Sequence, residues 1–389
     1  MLNTAFEPWP SFTQKEADAV SKVLLSNKVN YWTGQECREF EKEFTTFAGT
    51  QYAVALANGT VALDVALKAL NIGVGDDVIV TSRTFLASAS SIVTAGANPI
   101  FADVELDSQN ISARTIEAVL TPNTKAIICV HLAGWMCDMD PIMQLAAERG
   151  LYVIEDCAQA HGAEYKGKPA GSIGHISAWS FCQDKIMTTG GEGGMVTTND
   201  EVLWKKMWSY KDHGKNFDSI YNKQHPPGFR WLHDSFGTNW RMMEMQAVIG
   251  RIQLKKMAEW TEIRNHNMQR IYSAFEKTPY ITVFQPSNDY VHAAYKCYVQ
   301  VNVDQLPEGW SRDRIMNEIA ELGVPCFSGS CSEVYLEHAF DNTPWRPAQL
   351  LQNAQKLGES SLMFLVHPTL SEDSINQTIS AIEQVLTRV

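Results

Sequence analysis

The chain lacks paired metal or disulfide spacings. Its eight cysteines stand at 37, 129, 137, 157, 182, 297, 326 and 331, and none form a CxxC pair. The nearest two, Cys326 and Cys331, have no histidine pair beside them. Reduced thiols, with no zinc site and no disulfide frame, are therefore expected. A basic excess is missing too: 44 acidic residues face 32 basic ones, a net charge of -12, which argues against a nucleic-acid partner. There is no run of 18 apolar residues, so no membrane span is expected. The opening "MLNTAFEPWPSF" has neither the charged start nor the apolar stretch of a signal peptide, which makes the cytoplasm the expected location. Internal repeats and low-complexity segments are absent, as are the GxGxxG and GKS/T spacings of dinucleotide and P-loop sites.

What is present is an ordinary globular composition, 45% apolar and 20% charged over 389 residues, enough for a large domain with a smaller one. Between residues 50 and 200 short β-rich runs at 52–57, 76–82, 98–104, 125–132, 151–157, 177–181 and 194–199 alternate with helical patterns at 60–70, 84–96 and 140–150. Nearly apolar strands linked by helices predict an α/β fold, a mostly parallel central sheet sandwiched by helices. Such sheets bind ligands at the carboxyl ends of their strands. One long helical pattern over 243–275 then leads to a smaller α+β region, with a strand near 295–303 and helices near 312–323 and 372–388. The expected division is a large domain over 1–245 and a small one over 246–389, with 1–35 packing on the small domain.

Four features fall at predicted strand ends. Lys185 stands between the apolar run "HISAWSF" (175–181) and the glycine-dense "TTGGEGGMV" (188–196). In "ANGTVALDVALKAL" (57–70) a strand gives way at Asn58-Gly59 to a helix opening at Thr60. This reads either as an ordinary cap or as an anion site made of free backbone amides. Asp156, ending the buried run in "VIEDCAQAHG" (153–162), is either a helix cap or an acid that needs a cation, with Gln159 in reach. Phe85 is either a core aromatic or a stacking platform. A cofactor with a phosphate, a protonated ring nitrogen, a flat ring and an aldehyde would engage all four features, and pyridoxal 5'-phosphate is such a molecule. Lys166 and Lys168, in the polar turn "EYKGKP", read as solvated.

Five stretches carry a resemblance: "WTGQECREFEKEFTTFAGTQYAVALANGTVAL", "VHLAGWMCDMDPI", "IEDCAQAHGAEYKGKPAGSIG", "SFCQDKIMTTGGEGGMVTTND" and "FGTNWRMMEMQA". Together they resemble the DegT/DnrJ/EryC1/StrS sugar aminotransferases, of the aspartate aminotransferase fold type I. The resemblance implies a Schiff base between Lys185 and the cofactor aldehyde, Asp156 on the pyridine nitrogen, Gln159 on the ring hydroxyl and Phe85 stacked on the ring. It implies that Gly59, Thr60 and the Ser180 hydroxyl hold the phosphate, and that Asn239 reaches the neighbouring subunit's phosphate in a homodimer with shared active sites. It further implies ping-pong transfer from L-glutamate to a keto-sugar. A lysine at 185, where related dehydratases have histidine, favours amine transfer.

For the acceptor, a His-Tyr-Pro element common in relatives is replaced by "GVPCFSGSCSEVY" (323–335). "SGSCSEVY" and "LVHPTL" resemble the subset that aminates C8 of a 3-deoxy-octulosonate, a lipopolysaccharide sugar acid. Arg230 or His233 would meet its carboxylate, Arg230 reading equally as a surface salt-bridge partner, and Ser328 and Ser330 would line its site. The alternatives are a nucleotide-linked keto-deoxysugar of the perosamine type and a non-catalytic cofactor-binding sensor.

Overall fold

The computed structural model describes residues 6–224, 230–276 and 278–389; residues 1–5 of the N-terminal segment, and Gly228 and Phe229 just before Arg230, lie outside the described residues. Helices α1 (Gln14–Leu25) and α2 (Glu36–Ala48) precede β1 (Tyr52–Leu56), α3 (Gly59–Ala69), β2 (Asp77–Thr81), α4 (Ala87–Thr94), β3 (Asn98–Ala102), α5 (Ala113–Glu117), β4 (Thr124–Val130), α6 (Met139–Arg149) and β5 (Tyr152–Asp156). A short hairpin, β6 (Glu164–Tyr165) and β7 (Lys168–Pro169), leads to β8 (Ile176–Ser180) and β9 (Gly194–Thr198), followed by α7 (Glu201–Lys211) and α8 (Phe217–Tyr221).

The large sheet has seven strands in the order β1-β9-β8-β5-β4-β2-β3. The pairs from β8 to β3 are parallel, and β9 runs antiparallel to both β8 and β1. Alternation along the strands sends side chains to two cores. Ala55, Ile79, Ile127, Val153 and Trp179 pack on one face with α2 and α6. Val54, Val78, Ile128, Ile154 and Ala178 pack on the other with α3, α4 and α7. Apolar residues on both faces explain why the strands read as continuous apolar runs.

The later part of the chain contains α9 (Glu244–Leu254), α10 (Met257–Ser273), β10 (Ile281–Thr282), β11 (Tyr290–Val291), β12 (Cys297–Val301), α11 (Arg312–Glu321), β13 (Cys326–Phe327), α12 (Gln352–Ser360), β14 (Ser361–Phe364) and α13 (Glu372–Leu386). Four strands form a second sheet, β10-β12-β14-β13, and a third core gathers its residues with Met268, Ile271, Ile315, Ile319, Ile375 and Ile382 of α10, α11 and α13.

The single helix expected over 243–275 is two helices. No glycine or proline marks the break; tertiary bonds on either side cause it. The Gln253 Oε1 accepts the buried Thr188 N–H at 2.8 Å, and Lys256 Nζ reaches Glu16 of α1 at 2.7 Å. Between them the Lys256 N–H closes a tight three-residue turn on the Gln253 carbonyl. The N-terminal segment touches both regions: Trp9 Nε1 donates to the Lys185 carbonyl at 2.8 Å, while Ser374 Oγ donates to Glu7 and Thr369 Oγ1 donates to the Pro8 carbonyl.

Candidate active site

A cavity of about 580 Å3 opens where β4, β5 and β8 end and α3 begins. Asn58, Gly59, Thr60, Phe85, Asp156, Gln159, Ser180 and Lys185 all line it, although they come from four separate stretches of chain.

The Asn58 side chain caps α3 by accepting the Val61 N–H at 3.0 Å. The first amides of a helix have no intrahelical partner, and those of Gly59 and Thr60 belong to residues on the cavity wall. Gly59 is required by contact: a Cβ there would lie 2.5 Å from the Ser180 Cβ and 2.9 Å from its Oγ. Two backbone amides and a hydroxyl thus converge at a helix N-terminus, a fit for a phosphate.

Asp156 ends β5 and is buried. Its Oδ2 accepts the Ser88 hydroxyl at 2.8 Å and its Oδ1 accepts the Ala158 N–H at 3.1 Å. Burial pushes its carboxyl up, while these two hydrogen bonds favour the carboxylate. Gln159 is oriented by the Ala133 N–H, which donates to its Oε1 at 2.8 Å, so that the amide NH2 is left for another partner. Ala133 has φ +57°, a left-handed conformation that alanine rarely adopts and that the 132–134 turn imposes. The Phe85 ring is 71% exposed at the cavity mouth, the state expected of a platform rather than a core aromatic.

Lys185 sits in the turn after β8 with its side chain mostly buried. Its Nζ lies 3.4 Å from Asp184 Oδ1 and 5.3 Å from the centre of the Tyr295 ring. The Tyr295 hydroxyl donates to Asp184 Oδ2 at 2.5 Å. Although burial opposes it, Lys185 and Tyr295 hold the Asp184 carboxyl below its usual range.

Behind Asp156, His131 Nε2 and Glu155 Oε2 are 2.9 Å apart in full burial, and Glu155 also accepts N–H groups of Gly171, Ile173 and Gly174. Although burial opposes it, Cys157 and Glu155 raise the affinity of the imidazole for protons. Its Nδ1, however, accepts the Cys137 N–H at 3.1 Å, so the single ring proton is on Nε2 and is donated to Glu155. Burial pushes the Cys157 thiol up to about 12. With these commitments, His131, Glu155 and Cys157, the one cluster of metal-ligating types among the described residues, is a hydrogen-bonded support for the end of β5. All eight cysteines are free thiols.

The remaining candidates lie elsewhere. Asn239 is exposed and pairs through its backbone with Asp212, away from this chain's own cavity. Arg230 and His233 are exposed and outside the cavity lining. Ser328 is exposed, and Ser330 is engaged by Tyr298, its N–H donating to the Tyr298 hydroxyl at 2.9 Å.

Sequence reasoning missed Ser88, Asp184 and Tyr295. Ser88 stands three residues after Phe85, a spacing that brings side chains together on one helical turn. Asp184 adjoins Lys185 in sequence. Tyr295, 111 residues from Asp184, had no local signal.

Residues 10–383 match the model of the DegT/DnrJ/EryC1/StrS aminotransferase family. The chain belongs to this family. It is thus a sugar aminotransferase that depends on pyridoxal phosphate, and the fold is that of the fold type I enzymes. Among family relatives, it is 37% identical over 383 residues, 97% of each chain, to the GDP-perosamine synthase of Caulobacter vibrioides. Its structure matches the X-ray structure of the aminotransferase from Psychrobacter cryohalolentis with a TM-score of 0.98 and 65% identity over 99% of each chain. DesV of S. venezuelae, solved in complex with a ketimine intermediate, matches with a TM-score of 0.86 and 29% identity over 97% of this chain and 95% of that one. No helix among the described residues is long and apolar enough to cross a membrane.

Proposed function

We propose that this aminotransferase moves an amino group from L-glutamate to the keto group of a nucleotide-linked deoxysugar. The observation that carries the reading is the end-to-end similarity to a GDP-perosamine synthase. Arg230 and His233, suggested for the carboxylate of an octulosonate, stand outside this chain's own cavity, as Asn239 does, so their place favours neither acceptor. The similarity to a GDP-perosamine synthase makes the nucleotide-linked sugar the better reading.

Bound pyridoxal phosphate supplies an electron sink for the carbanion formed when an α-proton leaves. The chain's own residues do the rest. Gly59, Thr60 and Ser180 would hold the phosphate, with Asn239 of a second copy completing the site in a homodimer. Ser88 and Ala158 aim the Asp156 carboxylate, which would favour a protonated ring nitrogen. Gln159 would offer its NH2 to the ring hydroxyl, and Phe85 would serve as the platform for the ring. Lys185 would hold the cofactor through its amine and, with that amine free, would carry protons to and from the reacting carbon.

The test is to charge the enzyme with L-glutamate and offer it a GDP-linked 4-keto-6-deoxy sugar and 8-oxo-3-deoxy-octulosonate separately. Amination of the nucleotide sugar is expected. Transfer to the octulosonate alone would refute the proposed acceptor, and no transfer from L-glutamate would refute the proposed donor.

A further inference from the structure

A second lysine lies beside this site. Lys296 precedes β12 and shares a register with Tyr298 and Gln300. Tyr298 packs on Leu132 and Ala133, and Gln300 Nε2 donates to the Leu106 carbonyl, so this face of the strand is turned to the large sheet's loops. The backbone is fixed next to the cofactor cavity: the Tyr295 N–H donates to the Ala133 carbonyl at 2.9 Å, and the Ala133 N–H orients Gln159. On the other side, the Tyr295 hydroxyl is bonded to Asp184, itself on the cavity wall.

Lys296 Nζ stands 4.9 Å from the centre of the Tyr295 ring, and among the described residues no carboxylate is within ion-pairing reach of it. Burial pushes its pKa down to about 8; Asp184 opposes this, while Arg264 and Lys185 reinforce it. The Arg264 guanidinium, buried and stacked 4.9 Å over Trp9, leaves Nε and Nη2 without hydrogen-bond partners. Three cations, Lys185, Lys296 and Arg264, therefore surround the Tyr295 corner, whose hydroxyl is bonded to Asp184. In a chain of net charge -12 this local surplus is not a reflection of composition. A cavity of about 20 Å3, room for one water-sized group, borders Lys296, Asp107, Ser108, Gln109, His292 and Ala133. An uncompensated, partly buried ammonium beside the reacting lysine is costly unless an anion arrives with the substrate.

We propose that Lys296 binds a carboxylate of the amino donor, in the cleft between the Ala133 turn and β12, and so sets the preference for a dicarboxylic amino acid. This rests on the L-glutamate reading above. The role is one of binding and leaves the proton transfers of Lys185 untouched.

The experiment titrates holoenzyme with glutarate, an unreactive dicarboxylate, by calorimetry and follows the half-reaction with L-glutamate. A charge-assisted hydrogen bond lost in Lys296→Gln weakens glutarate binding by about tenfold or more and raises the KM for L-glutamate with kcat little changed. Lys296→Arg keeps most of both, and the KM for the keto-sugar is unmoved in either variant. Glutarate affinity in Lys296→Gln within twofold of wild type would overturn the assignment while the donor reading stands. A loss confined to the keto-sugar would give the ammonium to the acceptor and overturn it as well. A wild-type enzyme that binds neither glutarate nor L-glutamate would overturn the donor reading and Lys296 with it.

Discussion

Gly59→Ala isolates the phosphate cradle. The added Cβ would lie 2.5 Å from the Ser180 Cβ and 3.1 Å from its Cα, against an ordinary carbon contact of about 3.5–4.0 Å. The turn and β8 must separate by about 1 Å to relieve this. The turn cannot slide the other way, because Gly194 backs it so closely that a Cβ there would stand 2.2 Å from the Asn58 carbonyl oxygen. Overpacking of this kind costs about 1–3 kcal/mol, or about 5- to 150-fold in an equilibrium constant. Alanine also raises helix propensity by up to about 1 kcal/mol, so the melting temperature of the apoprotein changes little. The Kd for pyridoxal phosphate, followed by absorbance titration of the apoprotein, is expected to rise about 10- to 100-fold. Adding Ser180→Gly to Gly59→Ala removes the clashing Cβ and recovers part of the affinity, short of the hydroxyl's share. A Gly59→Ala enzyme that binds the cofactor within twofold of wild type would refute the account of the cradle.

Lys185→Ala is expected to abolish multiple turnover; sustained product formation in that variant would remove the lysine from its role. Asp156→Asn is expected to lower kcat by about 10^2- to 10^3-fold through loss of the preorganised charge, with Ser88→Ala costing less because the Ala158 amide still aims the carboxylate. An Asp156→Asn rate equal to wild type in single-turnover measurements would reject the assignment. Glu16 is tied to Lys256 and to Thr13; although burial opposes ionisation, these bonds lower its carboxyl to about 2. Its folded value is depressed, so its contribution is complete above about 4.5 and is lost as the pH falls towards about 2. Glu16→Gln should therefore flatten the denaturation midpoint over that range, and an unchanged pH profile would contradict the reading.

The sheet was legible because each buried strand carries apolar residues on both faces, leaving a short unbroken run such as "DVIVT" in β2. Lys185, Asp156 and Gly59 were legible because each stands where such a run ends, at the polar break before a turn or helix. The break between α9 and α10 was not, because it is imposed by Thr188 and Glu16, residues 65 and 240 positions from their partners. Tyr295 and Lys296 were hidden for the same reason. Their place beside Lys185 depends on a backbone bond to Ala133, in a turn held at a positive φ that no residue type at that position announces.

The most direct test of the central claim reduces the holoenzyme with borohydride, digests it and locates the cofactor by peptide mass. The account predicts a single pyridoxyl addition on the peptide containing Lys185, absent after prior incubation with L-glutamate. An addition on another lysine, Lys296 included, or none in protein saturated with cofactor, would contradict it.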